Sequence, residues 1–408
     1  MNEQARGPLH GLRVLEVGGW LSVPYAGRLF ALLGADVVKI ELPGQGDPAR
    51  RYGPFQAEDG RLYSGVFAYL NMNKRSVALD YRRPTGRRIL SRLAAKADVL
   101  FTNLPPAEQD SLGLTYDQLC GVNPRLVVCS VTPFGRSGPY RDLPGVDLTV
   151  SAAAAISVGI GEYDEEPLPL PLFQTDMQAA LAAACAALVA LLARPRVGGQ
   201  QIDIAAMEVM ACHHAARNLP RYVYQGIVGI RRGRWGGDSP YPNTVLPCKD
   251  GHVILCAPQL AQWLRFLKVM GEPEWTQNPR YRDRRAMIAD YPEEADALLI
   301  PWFKERTKAE LLQIFIEHRI PFAPIFSGRE LLECEHLRER GFFRPMPLGR
   351  DASGFVEAPG VPFRFGRSAS YVERCGAPAL GQDTRAVLVE ELGLSPSEYE
   401  SLVRAGLV

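Results

Sequence analysis

The sequence predicts an α/β fold: a parallel sheet covered by helices, with a smaller α+β domain. Three observations carry this. Short apolar runs alternate with helical segments through the first 130 residues, the pattern of repeated βαβ units. After Met207 the pattern changes to a hairpin-like pair of strands followed by helices. The 38 Gly and 33 Pro gather in a few stretches between and beside these segments.

Leu12 to Val17 reads as a buried strand, Gly18-Gly19 as a turn, and Val23 to Leu33 as a helix with Gly34 beyond its end. Asp36 to Glu41 is a second strand, which completes one βαβ unit with the usual right-handed crossover. Ser76 to Leu79 is a short strand, Thr85 to Lys96 a helix and Asp98 to Thr102 a strand. Tyr116 to Cys120 starts a short helix, and Arg125 to Val131 is another strand. Prolines 133, 139, 144, 167, 169 and 171 then crowd one region. Met177 to Ala193 is apolar apart from Gln178 and rich in alanine, with Arg194-Pro195-Arg196 as its stop. A membrane span needs about 20 strongly apolar residues, so this segment reads as a buried helix packed through small side chains. Arg231 to Asp238 is a glycine-rich basic loop. Thr244 to Cys256 reads as a hairpin turning at Lys249-Asp250-Gly251. Helices follow near Leu260 to Met270, Pro292 to Phe303 and Lys308 to Glu317. A Pro-rich return leads to a last helix at Asp383 to Leu392, followed by Ser395 to Leu407.

The charge excludes some partners. Lys plus Arg number 46 against 45 Asp plus Glu, a net +1, so no nucleic-acid partner is expected. Residues 1 to 100 hold 15 basic and 9 acidic residues, and the remainder 31 and 36. A first segment at +6 and a remainder at −5 suit an acidic ligand held by the first domain. Met1 to Gly11 contains Glu3 and Arg6 and no apolar stretch, so no signal peptide is expected. The eight cysteines are scattered and form no CxxC, which reads as buried reduced thiols in a cytoplasmic protein. His213 and His214 are adjacent, a poor chelate pair, so no metal site is expected.

Four features have chemical readings. Gly18 to Ser22 opens the first helix but lacks G-x-G-x-x-G spacing; Glu41 sits where a ribose-binding acid would sit in a dinucleotide fold, or is an ordinary strand-end carboxylate. Arg82, Arg83, Arg87 and Arg88 form either a solvated helix face or a phosphate cradle. Asp176 begins the apolar helix with Thr175 as a possible N-cap, so it is either a first-turn acid or a nucleophile for an activated acyl group. The acidic Glu162 to Glu166 stretch and the basic Arg231 to Arg234 stretch are candidates for shaping selectivity.

Across nearly the whole chain the sequence resembles the family III CoA-transferases. The opening motif is Leu9-His10-Gly11-Leu12-Arg13-Val14-Leu15-Glu16, then Pro24-Tyr25-Ala26-Gly27-Arg28 and Gly34-Ala35-Asp36-Val37-Val38-Lys39-Ile40-Glu41. Asn73-Lys74-Arg75-Ser76, Asn123-Pro124-Arg125-Leu126, Gly135-Arg136-Ser137-Gly138-Pro139-Tyr140 and Pro144-Gly145-Val146-Asp147 continue it, and Ala377 to Thr384 closes it. The resemblance implies a Rossmann-like large domain of residues 1–205 and 330–408, a small domain of 206–329, and an interlocked homodimer. It places the catalytic nucleophile on Asp176. It places coenzyme A contacts on Ser22, Leu42, Leu79, Asp80, Tyr81, Arg82, Asn103, Leu104, Pro105, Ser111, Pro144, Gly145, Val146 and Asp147. Leu42 and Ser111 depart from relatives that carry polar or basic groups there. Trp235-Gly236-Gly237 resembles the mobile glycine loop of some members. Coenzyme A and acyl-CoA are implied as substrates, with no tightly bound cofactor.

The implied activity is transfer of CoA from an acyl-CoA to a carboxylic acid. Its strongest rival is a 2-methylacyl-CoA racemase on the same scaffold. Relatives of that type carry a histidine where Val146 stands here, which argues against it. A subunit of a hetero-oligomeric transferase and an NAD enzyme are weaker rivals.

Overall fold

The computed structural model describes residues 7–58, 60–216, 218–229, 231–236, 239–372 and 375–408. Glu3 and Arg6 of the charged N-terminus, and Gly237 and Asp238 of the glycine-rich loop, lie outside these residues. The chain divides into two compact units. The larger comprises Met1–Ile156, Pro169–Gln225 and Leu337–Val408, and the smaller Ser157–Leu168 and Gly226–His336.

The larger unit is built on six parallel strands: β1 (Arg13–Val17), β2 (Asp36–Glu41), β3 (Arg75–Ala78), β4 (Val99–Thr102), β5 (Val127–Thr132) and β6 (Gln200–Ala205). Their order is β3-β2-β1-β4-β5-β6, the doubly wound Rossmann arrangement. Adjacent residues on each strand point to opposite faces, and both faces are buried. Leu15, Val38, Leu100 and Val128 pack under helix α2 (Pro84–Ala94) and the C-terminal segment. Val14, Val37, Phe101, Val127 and Cys129 pack under α1 (Ser22–Leu32) and the Ala-rich helix. Two-faced burial is why the strands read as continuous apolar runs.

Helix α3 (Pro106–Leu112) follows β4, and α4 (Asp147–Ala153) follows the Pro-rich loop. Helix α5 runs from Gln174 to Val197, straight through the expected stop at Pro195. Pro195 falls in the last turn, where its fixed φ is helix-compatible, and it forgoes the one N–H bond back to Leu191. The end comes at Gly198, with φ +77°. Ala179, Ala180, Ala183, Ala184, Ala187 and Ala190 form the buried stripe that lets this helix approach the sheet closely. By length and composition it could cross a membrane; one stripe is buried against the sheet, while Leu181, Val189 and Leu192 on its other side are exposed, so the expected burial holds for that stripe alone.

The expected helix from Asp383 is a six-residue π-helical turn, Ala386–Glu391, and Glu391 bridges Arg13 and Arg75. The open edge of β3 is covered by this C-terminal segment. Ser76 N–H donates to Asp383 (2.9 Å) and Ala78 N–H to Thr384 Oγ1 (2.9 Å).

The smaller unit holds an antiparallel sheet ordered β9-β8-β7, from β7 (Asn243–Cys248), β8 (Gly251–Cys256) and β9 (Phe322–Pro324). Its core is aromatic, with Trp263, Phe266, Phe303 and Phe315 buried together. Buried Asp296 accepts from Arg234 Nε, Trp235 Nε1, Tyr241 Oη and Thr244 Oγ1 at 2.9–3.1 Å, which anchors the base of the glycine-rich loop. The acidic and basic stretches meet here: Arg231 Nε donates to Glu162 O (3.0 Å).

Candidate active site

In a doubly wound sheet, a crevice opens beyond the carboxyl ends of the strands where the winding reverses. Here that point lies between β1 and β4. The loop after β1 is stitched to Asn103, just past β4. Gly19 N–H donates to Asn103 Oδ1 (3.1 Å), and Asn103 Nδ2 donates to Gly19 O (2.8 Å) and Ser22 Oγ (3.1 Å). Gly18 has φ +144°, and a Cβ there would lie 2.1 Å from Asn103 Oδ1, so only glycine permits this approach.

A fully buried ion cluster supports the loop from below. Lys39 Nζ lies 2.6 Å from both Glu16 Oε1 and Asp47 Oδ2, and Lys74 Nζ lies 2.7 Å from Glu16 Oε2. Burial opposes the charge on Glu16, but the two lysines outweigh it and hold its carboxyl below the ordinary value. Asp47 Oδ1 also accepts from the backbone N–H of Trp20 (2.9 Å), which holds Trp20 at φ +70°.

Beyond the loop is a cavity of about 150 Å³. Its wall includes Trp20, Ser22, Asn103, Thr132, Asp147 and Asp176, with Gly145 and Val146 beside them. Gly145 is required for packing, because a Cβ there would meet Pro133 Cβ at 2.6 Å. A larger groove, about 540 Å³, lies at Thr85, Arg88 and Ser401. The carboxylate on its wall, Glu398, is already spent on the capping box with Ser395.

Asp176 occupies the third position of α5, where helix N–H groups favour a negative charge. Burial works against that charge, and neighbouring Asp147 adds repulsion. Together they outweigh the helix end and raise the Asp176 carboxyl to about 7. Thr175 is not the N-cap. Phe173 holds that position at φ +50° with no side-chain cap, and Thr175 Oγ1 donates to Asp147 O (3.3 Å). The cap comes from another helix: Asp147 Oδ1 accepts the backbone N–H of Asp176 (3.1 Å). Such a long-range cap has no signature near position 176.

The cavity gathers Asp176, Ser22, Asn103, Gly145, Val146 and Asp147 from the residues singled out in the sequence. Pro144 adjoins them, and Leu42, Leu79, Asp80, Tyr81, Arg82, Leu104, Pro105 and Ser111 lie outside the wall. The Leu79 and Tyr81 side chains are buried in the core beneath the sheet. Arg82 is exposed and pairs with Glu108 (3.1 Å), while Ser111 Oγ donates to Glu108 O (2.9 Å). Glu41 is closed to a ribose. Arg50 binds it through two bonds (2.7 and 2.8 Å), and Ser76 Oγ and the Asp47 N–H fill its remaining sites.

Sequence reasoning missed Trp20 and Thr132, whose place on the wall follows from tertiary contacts. Only Cys129 and Cys248 of the thiols expected inside are buried, and Cys185 and Cys212 are exposed. Among the described residues, no group of three or more His, Cys, Asp or Glu is placed to hold a metal ion.

Comparison with known proteins finds relatives along nearly the whole chain. The model of CoA-transferase family III matches residues 9–384. The chain is 34% identical to the succinyl-CoA:(R)-benzylsuccinate CoA-transferase subunit BbsE of Thauera aromatica, over 97% of both chains. It is 32% identical to the succinyl-CoA–D-citramalate CoA-transferase of Chloroflexus aurantiacus, over 97% of this chain and 96% of that one. Among solved structures, a CAIB/BAIF family protein from Brucella suis superposes with a TM-score of 0.85 at 29% identity, covering 94% of this chain and 99% of that one. The chain belongs to CoA-transferase family III and is an enzyme of CoA exchange between acyl-CoA and acid.

Proposed function

We propose that Asp176 carries the CoA through a covalent relay. The single observation behind this reading is an uncompensated, largely buried carboxylate at the head of α5, in a cavity at the sheet's switch point. Asp176 attacks the donor thioester carbonyl, the C–S bond breaks, and a mixed anhydride and CoA thiolate form. The thiolate attacks the Asp176 carbonyl of the anhydride, which releases the donor acid and leaves an Asp176–CoA thioester. The acceptor carboxylate attacks that thioester and expels the thiolate, giving a second anhydride. The thiolate then attacks the acceptor acyl carbon, which forms the new acyl-CoA and restores the Asp176 carboxylate. No step requires a net proton, and exclusion of water preserves the thioester energy.

Coenzyme A runs along Ser22, Asn103 and Pro144 to Asp147, and outward past Leu42, Leu79 to Arg82, Leu104, Pro105 and Ser111. A succinyl-CoA donor is the first to test, because both relatives named above use one by name. The chain forms an interlocked homodimer. Leu181, Val189 and Leu192 on the outer side of α5 are 37%, 65% and 80% exposed, an apolar face suited to a second copy. The subunit name of the Thauera relative favours a second reading, a hetero-oligomer. Light scattering, with activity measured on the purified chain alone, separates the two.

The central test incubates the enzyme with succinyl-CoA and a panel of carboxylic acids and follows new thioesters by mass. Hydroxylamine should trap Asp176 as a hydroxamate, and Asp176→Ala should abolish exchange in a folded protein. Wild-type exchange by that variant overturns the relay. Deuterium entering the α-carbon without CoA exchange would favour racemisation instead.

A further inference from the structure

The larger unit holds a second concavity, of about 240 Å³, lined by none of the residues of the Asp176 cavity. It lies beside the hairpin of Phe343–Pro347 and Phe355–Pro359, and its wall carries Arg340, Phe342, Arg344, Phe363, Arg364 and Tyr371. Among the described residues no acidic side chain lines it.

The backbone turns these groups toward one another. Phe342, Arg344 and Met346 alternate onto one face, and Met346 packs with Ala358 and Tyr371. Arg344 shares that face, and its guanidinium carbon lies 6.0 Å from the centre of the Tyr371 ring. Gly360 makes the room, because a Cβ there would stand 2.9 Å from Phe342 O and 3.6 Å from Arg344 Cγ. Arg344 Nη2 lies 3.7 Å from where a Gly341 Cβ would be, next to Arg340.

The three guanidinium groups are uncommitted. Arg340 and Arg364 make no side-chain hydrogen bond or ion pair among the described residues, and Arg344 makes only its ring contact. By contrast Arg13, Arg75, Arg82 and Arg136 of the same unit each pair with a carboxylate. All three pocket arginines are exposed, so a ligand reaches them. A fourth cation lies behind the wall. Buried Arg28 donates to Pro359 O (3.0 Å), beside Gly360, and the charges it feels are those of tyrosines. Like charges around one concavity focus a positive potential there.

We propose that this pocket binds a small organic phosphate. A phosphate monoester brings nearly two negative charges and three acceptor oxygens, where a carboxylate brings one charge and two oxygens. Three guanidinium forks match the phosphate. Phe342 and Phe363 offer an apolar surface to the rest of the molecule. The volume is below that of a drug-sized site, so the body is about the size of one ring. The proposal does not use the Asp176 relay.

Calorimetric titration of the whole enzyme tests it, with phenyl phosphate as the probe and CoA present at saturation to fill the active site. One site per chain should appear, with a Kd below about 1 mM. Benzoate, which puts a carboxylate on the same ring, should bind at least about tenfold more weakly. Arg344→Gln and Arg364→Gln should each weaken phenyl phosphate by about tenfold or more, and Arg344→Lys, which keeps the charge without the fork, by less. Tm and the KM for acyl-CoA should stay at wild-type values in these surface variants. Absence of binding under saturating CoA overturns the proposal. So does benzoate that binds as tightly as phenyl phosphate, or a pair of glutamine variants that bind as the wild type does. Asp176→Ala should lose exchange yet keep the phenyl phosphate site, so failure of the relay and failure of this site are read separately.

Discussion

Glu16 and Asp176 are both withdrawn from water in the larger unit, yet their surroundings differ. Glu16 faces Lys39 and Lys74, and both of its oxygens are paired. Asp176 faces another carboxylate, Asp147. The first has its burial compensated and is held ionised. The second is raised to about 7, within reach of physiological pH. Compensated burial fixes the shape of the loop at Trp20; uncompensated burial beside it leaves a carboxyl that titrates near neutrality.

The contrast breaks most visibly at Glu16. Replacing it with Gln leaves Lys39 paired with Asp47 and takes from Lys74, which burial already lowers to about 8, the carboxylate that keeps it charged. Urea unfolding at pH 7 should show a loss of about 3–5 kcal/mol. A loss below about 1 kcal/mol would mean that the cluster is no more than an ordinary ion pair.

Asp176→Asn should act in the opposite direction. Below pH 4, Asp176 is protonated both folded and unfolded, and the substitution is neutral. Between 4 and 7 only the unfolded chain releases the proton, so wild-type stability falls as pH rises, and the penalty is complete above 7. At pH 8 the variant should gain on the order of 2 kcal/mol, with little gain at pH 4, read from melting curves across that range. Under the proposed relay, in which the ionised carboxylate attacks, wild-type kcat should rise through the same window.

The smallest effect sharpens the assignment of cause. Asp147→Asn keeps an oxygen to accept the Asp176 N–H but removes the repulsion. The acid limb of the pH–rate profile should move down by less than about one pH unit, because burial contributes more than Asp147. A shift back to the ordinary carboxylate range would reverse that ranking.

The βαβ units were legible because two-faced burial writes strands as apolar runs, as in Asp36 to Glu41. β6 was not, because Gln200, Gln201 and Asp203 interrupt its apolar residues at the edge of the sheet. Asp176 was legible as a candidate from its place at the head of an alanine-rich helix. Its raised pKa was not, since burial in the assembled cavity is the larger cause and Asp147, 29 positions earlier in the chain, adds to it.

The covered edge of β3 has a consequence for how the protein is made. Ser76 waits for Asp383, 307 residues later, to complete its hydrogen bonding. Until the ribosome has synthesised that segment, the nascent sheet has an unpaired strand edge, the surface through which sheets join end to end. Loop closure over such a distance also slows folding. A chaperone that shields β3 during translation, or rapid synthesis after β6, would protect yield without touching a catalytic residue.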